Sequence, residues 1–206
     1  MRLNTFSQNL ENNVNFVFPS WNQIYNLLIK VSERIQKSLF EPDIIVGISR
    51  GGWIPARIIS DLLQNPKLAN IATEFYYGIS KTNPKPIITQ PVSVSVEGKK
   101  ILVVDDVADS GKSLSIINNH LKEKRANEIK FATIYLKPQS SIIPHYFQRK
   151  TLDWIVFPWE LKEATKLIVE KLSSEGKNIE FSKEKLINSG MNKMLTNKFI
   201  KEIFGE

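Results

Sequence analysis

The sequence predicts an α/β domain: a mostly parallel twisted sheet flanked by helices. Three observations point there. A strand–turn–helix unit occurs twice. The apolar runs in those units are β-branched and do not alternate, which suits strands buried on both faces. Further apolar runs alternate with amphipathic stretches along the chain.

The first fifteen or so residues are polar and Asn-rich and read as an irregular arm. A helix begins near Pro19, where Ser20 and Gln23 have the spacing of a capping box. Its apolar face runs through Trp21, Ile24, Tyr25, Leu28, Val31, Ile35 and Leu39. Pro42 precedes the first buried strand, Ile44-Ile45-Val46, which ends at Gly47. A Gly-rich turn leads into a helix with Ile54, Ile58, Ile59, Leu62 and Leu63. The unit recurs as the strand Ile101–Val104, the turn Asp105–Gly111 and a helix with Leu114, Ile116, Ile117 and Leu121. Strands are also expected around Ile71–Tyr76, Ile129–Leu136 and Trp154–Phe157.

Residues 78–98 differ. Pro84, Pro86 and Pro91 interrupt them, and Val92, Val94 and Val96 lie near their end. They read as a long loop or a β-excursion, and a loop of that length in a compact domain is usually functional or disordered. A helix is expected over Leu161–Leu172, closed by Gly176, followed by a Lys-rich helical tail to Glu206. Residues 1–174 are therefore read as one domain and 175–206 as a C-terminal extension.

Composition narrows the function. The 206 residues, 42% hydrophobic and 24% charged, can bury a core. No apolar run approaches the roughly 20 residues of a membrane span. No apolar leader segment is visible in MRLNTFSQNL, so a cytoplasmic protein is expected. With no cysteine, disulfides, cysteine-ligated zinc and thiol chemistry are excluded. The histidines, His120 and His145, are too few for most histidine metal sites. A net charge of +7 allows a polyanionic partner without naming it.

The strongest constellation is ILVVDDVADSGKSL at 101–114. The strand delivers Asp105 and Asp106 to the C-terminal edge of the sheet, where open parallel sheets bind ligands. Asp109 follows, and Ser110-Gly111-Lys112-Ser113 opens a helix whose first N–H groups can cradle a phosphate. A Walker A loop is excluded, because position 106 is Asp where that motif needs Gly. A response-regulator receiver would need a phosphoacceptor Asp ending a strand between the paired acids and Lys137-Pro138, and none is there. A plain capped helix needs neither the paired acids nor Asp109.

The stretch resembles the signature of the type I phosphoribosyltransferases, which bind phosphoribosyl diphosphate (PRPP). That resemblance implies the type I phosphoribosyltransferase fold. It also assigns roles. Asp105 and Asp106 would hold the ribose hydroxyls and, through ribose or water, Mg²⁺. Ser110, Gly111, Lys112 and Ser113 would bind the 5-phosphate, with serines in place of the commoner threonines. Asp109 matches the acid beside purine N7 that serves as general base or acid. Gly47-Ile48-Ser49-Arg50-Gly51-Gly52 looks like the family's diphosphate loop, with Ser49, Arg50, Gly51 and Gly52 as its binding residues. A non-proline cis peptide is expected there, at Ser49–Arg50.

Lys137 ends the strand Ala132–Leu136, where 6-oxopurine enzymes carry a lysine that donates to purine O6. An ammonium only donates, so it suits a keto oxygen and not the amino group of adenine. Asp153-Trp154-Ile155-Val156-Phe157-Pro158-Trp159-Glu160 resembles the Trp-Ile-x-x-Pro-Trp segment of the xanthine–guanine enzymes. Trp154 would stack on the purine and the Ile155 backbone would meet its edge. Glu160 falls near an acid that helps hold a second Mg²⁺, where the family more often has Asp. Residues 78–98 occupy the place of the flexible loop that closes over the site, with Tyr76, Tyr77, Ser80 and Lys81 as candidate contacts.

The expectation is Mg²⁺-dependent transfer of 5-phosphoribosyl from PRPP to xanthine, guanine or hypoxanthine, in purine salvage, by a homodimer or homotetramer. The first helix could contribute an interface. Two other functions fit the PRPP motif: transfer to a different base, or a PRPP-binding regulatory protein without transferase activity. Against the latter, no DNA-reading helix-turn-helix is evident, so nucleic acid is not an expected partner; without a membrane-length apolar run, neither is a membrane. Much of the excess charge, especially Lys162 to Lys201, lies outside the expected site.

Overall fold

The computed structural model describes residues 15–76 and 85–205. The chain divides into two compact units: residues 22–152, and residues 1–21 together with 153–206.

The larger unit holds a six-stranded sheet. Its strands are β2 (Ile44–Ser49), β3 (Leu68–Tyr76), β4 (Lys85–Gln90), β5 (Lys100–Ala108), β6 (Glu128–Leu136) and β7 (Tyr146–Lys150), in the order β4-β3-β2-β5-β6-β7. β1 (Phe16–Val17) belongs to the other unit. Every pairing is parallel except β3 with β4. β2 is buried along its length up to Ile48, as the run without alternation predicts. One face of the sheet packs Val46, Ile48, Ile101, Val103 and Phe131 against Leu114, Ile117 and Leu121. Those three come from α3 (Lys112–Glu123). Two earlier helices are α1 (Trp21–Lys37) and α2 (Trp53–Leu62).

α1 buries Ile24, Leu28, Val31 and Ile35 at the expected spacing, but its apolar stripe is narrower than the sequence implies. Trp21 and Tyr25 are exposed. Leu39 lies beyond the helix end, has a φ of 56°, and is 86% exposed, so it is not part of the core face.

The irregular arm falls on residues outside those described, apart from Asn15 at its end. Between 78 and 98, the β-excursion is β4, antiparallel to β3. It lies earlier than Val92, Val94 and Val96. Pro86 sits within it, which an edge strand tolerates because a missing N–H costs no ladder bond there, and Pro91 follows its end. Val96 instead turns into the core.

The smaller unit pairs β1 in parallel with β8 (Trp154–Ile155). Three helices follow: α4 (Leu161–Ser174), α5 (Ile179–Asn188) and α6 (Lys193–Phe204). α4 ends as expected. Gly176 takes a φ of 78°, and Lys177 N donates back to Leu172 O. Asn178 and Asn192 cap the next two helices by accepting from Phe181 N and Leu195 N. Phe16, Trp154, Val156, Ile168, Leu172, Leu186, Met191 and Ile200 form one buried cluster. The last two helices thus share a core with β8. Lys162, Lys166, Lys171, Lys183 and Lys198 each form an ion pair with a glutamate of the same unit, so much of the positive charge in this Lys-rich region is paired locally. Among the described residues no helix is long and apolar enough to cross a membrane.

Candidate active site

β2, β5 and β6 are adjacent and parallel, so their C-terminal ends lie at one edge of the sheet. That edge gathers the loop after Ser49, the loop after Ala108, and Lys137.

Asp105 and Asp106 belong to β5, which runs further than its apolar residues suggest. Pairing of β5 with β2 stops at Val104, while pairing with β6 continues to Ala108. The two aspartates therefore lie beyond the end of the β2 ladder, beside residues 50–52. Contact there is close. A Cβ on Gly51 would overlap Asp106 Oδ2. One on Gly52 would come within 2.6 Å of Val104 O and 2.8 Å of Asp105 Oδ1. Glycine is required at both positions by space. Asp106 is buried, and its N–H donates to Asp105 Oδ1 at 2.9 Å.

The Ser49–Arg50 peptide is cis, at the bond singled out in the sequence. Ser49 Oγ donates to Asn70 Oδ1 on β3, and Asn70 Nδ2 donates to Gln90 Oε1 on β4 at 3.3 Å. Arg50 is exposed.

Both helices at this edge begin on a glycine: Gly52 for α2 and Gly111 for α3. Neither residue has a side chain to occupy the first-turn N–H groups. Lys112 N–H donates to Ser110 Oγ at 3.4 Å and Trp53 N–H to Arg50 O at 3.3 Å; the following first-turn N–H groups offer donors and a favourable dipole to anions. Gly111 has a φ of 77°, and a Cβ on it would lie 2.6 Å from Ser141 Oγ. Lys112 is exposed, while Ser110 and Ser113 are half-buried.

The segment after β6 is fastened to the loop after β5. Lys137 N donates to Ala108 O at 2.9 Å. Gln139 Nε2 donates to Asp109 Oδ1 at 2.7 Å. Ser141 donates to Ser110 O twice, from N at 3.1 Å and from Oγ at 2.9 Å. Lys137 is buried, and its Nζ donates to Leu152 O at 3.0 Å.

The structure thus brings Ser49, Arg50, Gly51, Gly52, Asp105, Asp106, Asp109, Ser110, Gly111, Lys112, Ser113 and Lys137 to one edge of the larger unit. Trp154, Ile155 and Glu160 belong to the smaller unit. Trp154 and Ile155 are buried there, and Glu160 Oε1 accepts from Phe157 N at 3.2 Å. Tyr77, Ser80 and Lys81 lie outside the described residues, as does the side chain of Tyr76. Asn70, Gln139 and Ser141 were not legible as site residues. Polar side chains two and four positions past Lys137, at a sheet edge already marked by three aspartates, were the available signal for the last two.

Comparison with known proteins shows the family. Residues 20–166 match the family model described as phosphoribosyl transferase domain. A xanthine-guanine phosphoribosyltransferase of Cereibacter sphaeroides is 34% identical over 119 residues, covering 57% of this chain and 68% of the relative. A hypoxanthine-guanine phosphoribosyltransferase of Streptococcus pyogenes is 25% identical over 137 residues, covering 65% and 76%. Among solved structures, a purine phosphoribosyltransferase from Pyrococcus horikoshii superposes with a TM-score of 0.64 at 36% identity, over 70% of this chain and 93% of that one. With the family model spanning residues 20–166, including the glycine loop after β2 and the acidic end of β5, this chain belongs to the phosphoribosyltransferase family.

Proposed function

We propose that the protein transfers 5-phosphoribosyl from PRPP to a 6-oxopurine, giving the nucleoside monophosphate and diphosphate in purine salvage. The observation that supports this is the packing of Gly51 and Gly52 against Asp106 and Asp105, which sets the loop we read as binding diphosphate beside paired carboxylates. Relatives named for xanthine, guanine and hypoxanthine support the choice of base.

In this reading the backbone N–H groups of residues 50–52 and the Arg50 guanidinium receive the diphosphate. Ser110–Ser113 and the start of α3 receive the 5-phosphate. Asp105 and Asp106 orient the ribose. Asp109 moves the N7 proton as the anomeric carbon passes to the base. Lys137 donates to the purine O6, and Trp154 and the Ile155 backbone are assigned to the ring.

Mg²⁺ fits the donor set. Asp105 and Asp106 would supply hard oxygen ligands; Glu160, in the smaller unit, is proposed for metal on the sequence resemblance alone. Among the described residues no three acidic or histidine side chains form a cluster able to hold a metal. Mg²⁺ takes oxygen ligands and keeps several waters, so one or two carboxylates are enough to propose it here. Bound there, it would neutralise charge on the departing diphosphate. We assign residues 1–174 to the transferase domain and 175–206 to the extension. A cytoplasmic homodimer or homotetramer completes the proposal.

The test is a comparison of wild type with Asp109→Asn, using PRPP, Mg²⁺ and guanine, hypoxanthine or xanthine. Wild type should turn over at least one of the three. Asp109→Asn should lower kcat about 10²–10⁴-fold, the range for a general acid or base, with PRPP affinity nearly unchanged. No turnover with any oxopurine contradicts the proposal.

A further inference from the structure

We infer that Gln139 is a positioning residue for Asp109, and that residues 137–141 act as a strap tying base recognition to the phosphate loop. The inference rests on the function proposed above and extends it to a residue outside the sequence motifs.

Among the described residues Gln139 is the hydrogen-bond partner of the Asp109 side chain, and it engages Oδ1 alone. A carboxylate only accepts, so the carboxamide presents its Nε2–H, not its carbonyl. With Oδ1 engaged, rotation of the carboxylate is restrained, and Oδ2 is the oxygen we assign to the proton on the base. The bond is short, at 2.7 Å, as expected when one partner is charged.

The backbone on both sides is held as well. Lys137 N is bound to Ala108 O, and Ser141 N and Oγ to Ser110 O. The strap therefore contacts the loop at 108, 109 and 110, on both sides of Asp109. Gly111 then packs where a Cβ would strike Ser141 Oγ and Ile142 N. Small errors in the placement of a catalytic group are costly, because the gain from orientation depends on near-attack geometry. Gln139 is exposed and fills no core position, so a purely structural role predicts little effect from replacing it.

The experiment measures kcat and KM for PRPP and for an oxopurine in wild type, Gln139→Met, Gln139→Glu, Asp109→Asn and the Asp109→Asn/Gln139→Met double variant. Gln139→Met keeps the length and removes the donor. It should lower kcat about 5- to 20-fold and leave the KM for PRPP within twofold. Gln139→Glu faces one carboxylate with another. It should lose more, and regain activity as pH falls and the introduced carboxyl group can donate a proton. In the Asp109→Asn background, Gln139→Met should cost less than half its wild-type factor, because partners in one interaction are not additive.

Wild-type kcat in Gln139→Met, or full additivity with Asp109→Asn, overturns the inference while leaving the transferase assignment standing. Absence of oxopurine turnover in wild type overturns the assignment, and the inference with it. PRPP binding by each variant confirms that it is folded. If Gln139→Met fails to bind PRPP, Gln139 supports the fold rather than Asp109, which also overturns the inference.

Discussion

Gly51 lies so close to Asp106 that a single methyl group on it would occupy the space of the carboxylate oxygen Oδ2. Gly52 stands in the same relation to the backbone at Val104 and Asp105. The loop after β2 and the acidic end of β5 therefore pack directly against one another.

Replacing Gly51 with Ala should displace the Asp106 side chain and weaken PRPP binding at least tenfold. Gly52→Ala meets backbone instead, which cannot rotate away. It should also cost about 1–3 kcal/mol of stability, as overpacking typically does. Isothermal titration with PRPP and Mg²⁺, with thermal unfolding alongside, checks both.

Lys137→Met removes an ammonium that is buried and donates to Leu152 O. A hydrogen bond from a charged group contributes about 1.5–3 kcal/mol. The KM for an oxopurine should rise about 10- to 100-fold, with PRPP affinity unchanged. Steady-state kinetics with the two substrates varied separately make that distinction. An equal loss for both substrates would remove Lys137 from base recognition.

Ile200 is fully buried on α6 in the cluster that also contains Trp154 and Val156. Ile200→Ala should destabilise the smaller unit by about 2–5 kcal/mol, the usual range for such cavities. If β8 carries base recognition, the KM for purine should rise while PRPP binding in the other unit persists. Denaturant unfolding and substrate titration together decide whether the extension supports β8 or is a passive tail.

His145 Nδ1 accepts from Phe131 N at 3.1 Å. Burial, and then the charge of Lys130, push this imidazole below its ordinary value, against a smaller opposing effect of Glu128. The unfolded chain thus takes up the proton at higher pH than the folded chain. The stability from this group is complete above the unfolded value near 6.5 and declines as pH falls below it. His145→Asn keeps an acceptor and removes the titration. Between pH 7.5 and 5.5 its melting temperature should fall less than that of wild type. Parallel slopes would remove His145 from the pH dependence.

Much of this was legible in the sequence because local chemistry dictated it. The runs Ile44–Val46 and Ile101–Val104 could only be doubly buried strands, and each led into a glycine-started helix. The cis bond fell at Ser49–Arg50, where the resemblance placed it. What stayed hidden depended on the tertiary partner. β1 and β8 are two residues each and stabilise one another across some 140 positions of chain. β7 reads YFQRK, with only its first two residues apolar, because it is a sheet edge. Leu39 fits the helical period, yet the chain turns with positive φ before it can be buried. Gln139 looks like any loop residue until β5 and β6 are placed side by side.

Transfer of phosphoribosyl from PRPP to a 6-oxopurine is tested most directly by product identity. The protein is incubated with PRPP and Mg²⁺ and, separately, xanthine, guanine, hypoxanthine, adenine and uracil, and any nucleotide is identified by mass. A monophosphate is expected from at least one of the first three and none from adenine or uracil. Product from adenine or uracil alone, or PRPP binding with no product from any base, would contradict the transfer proposed.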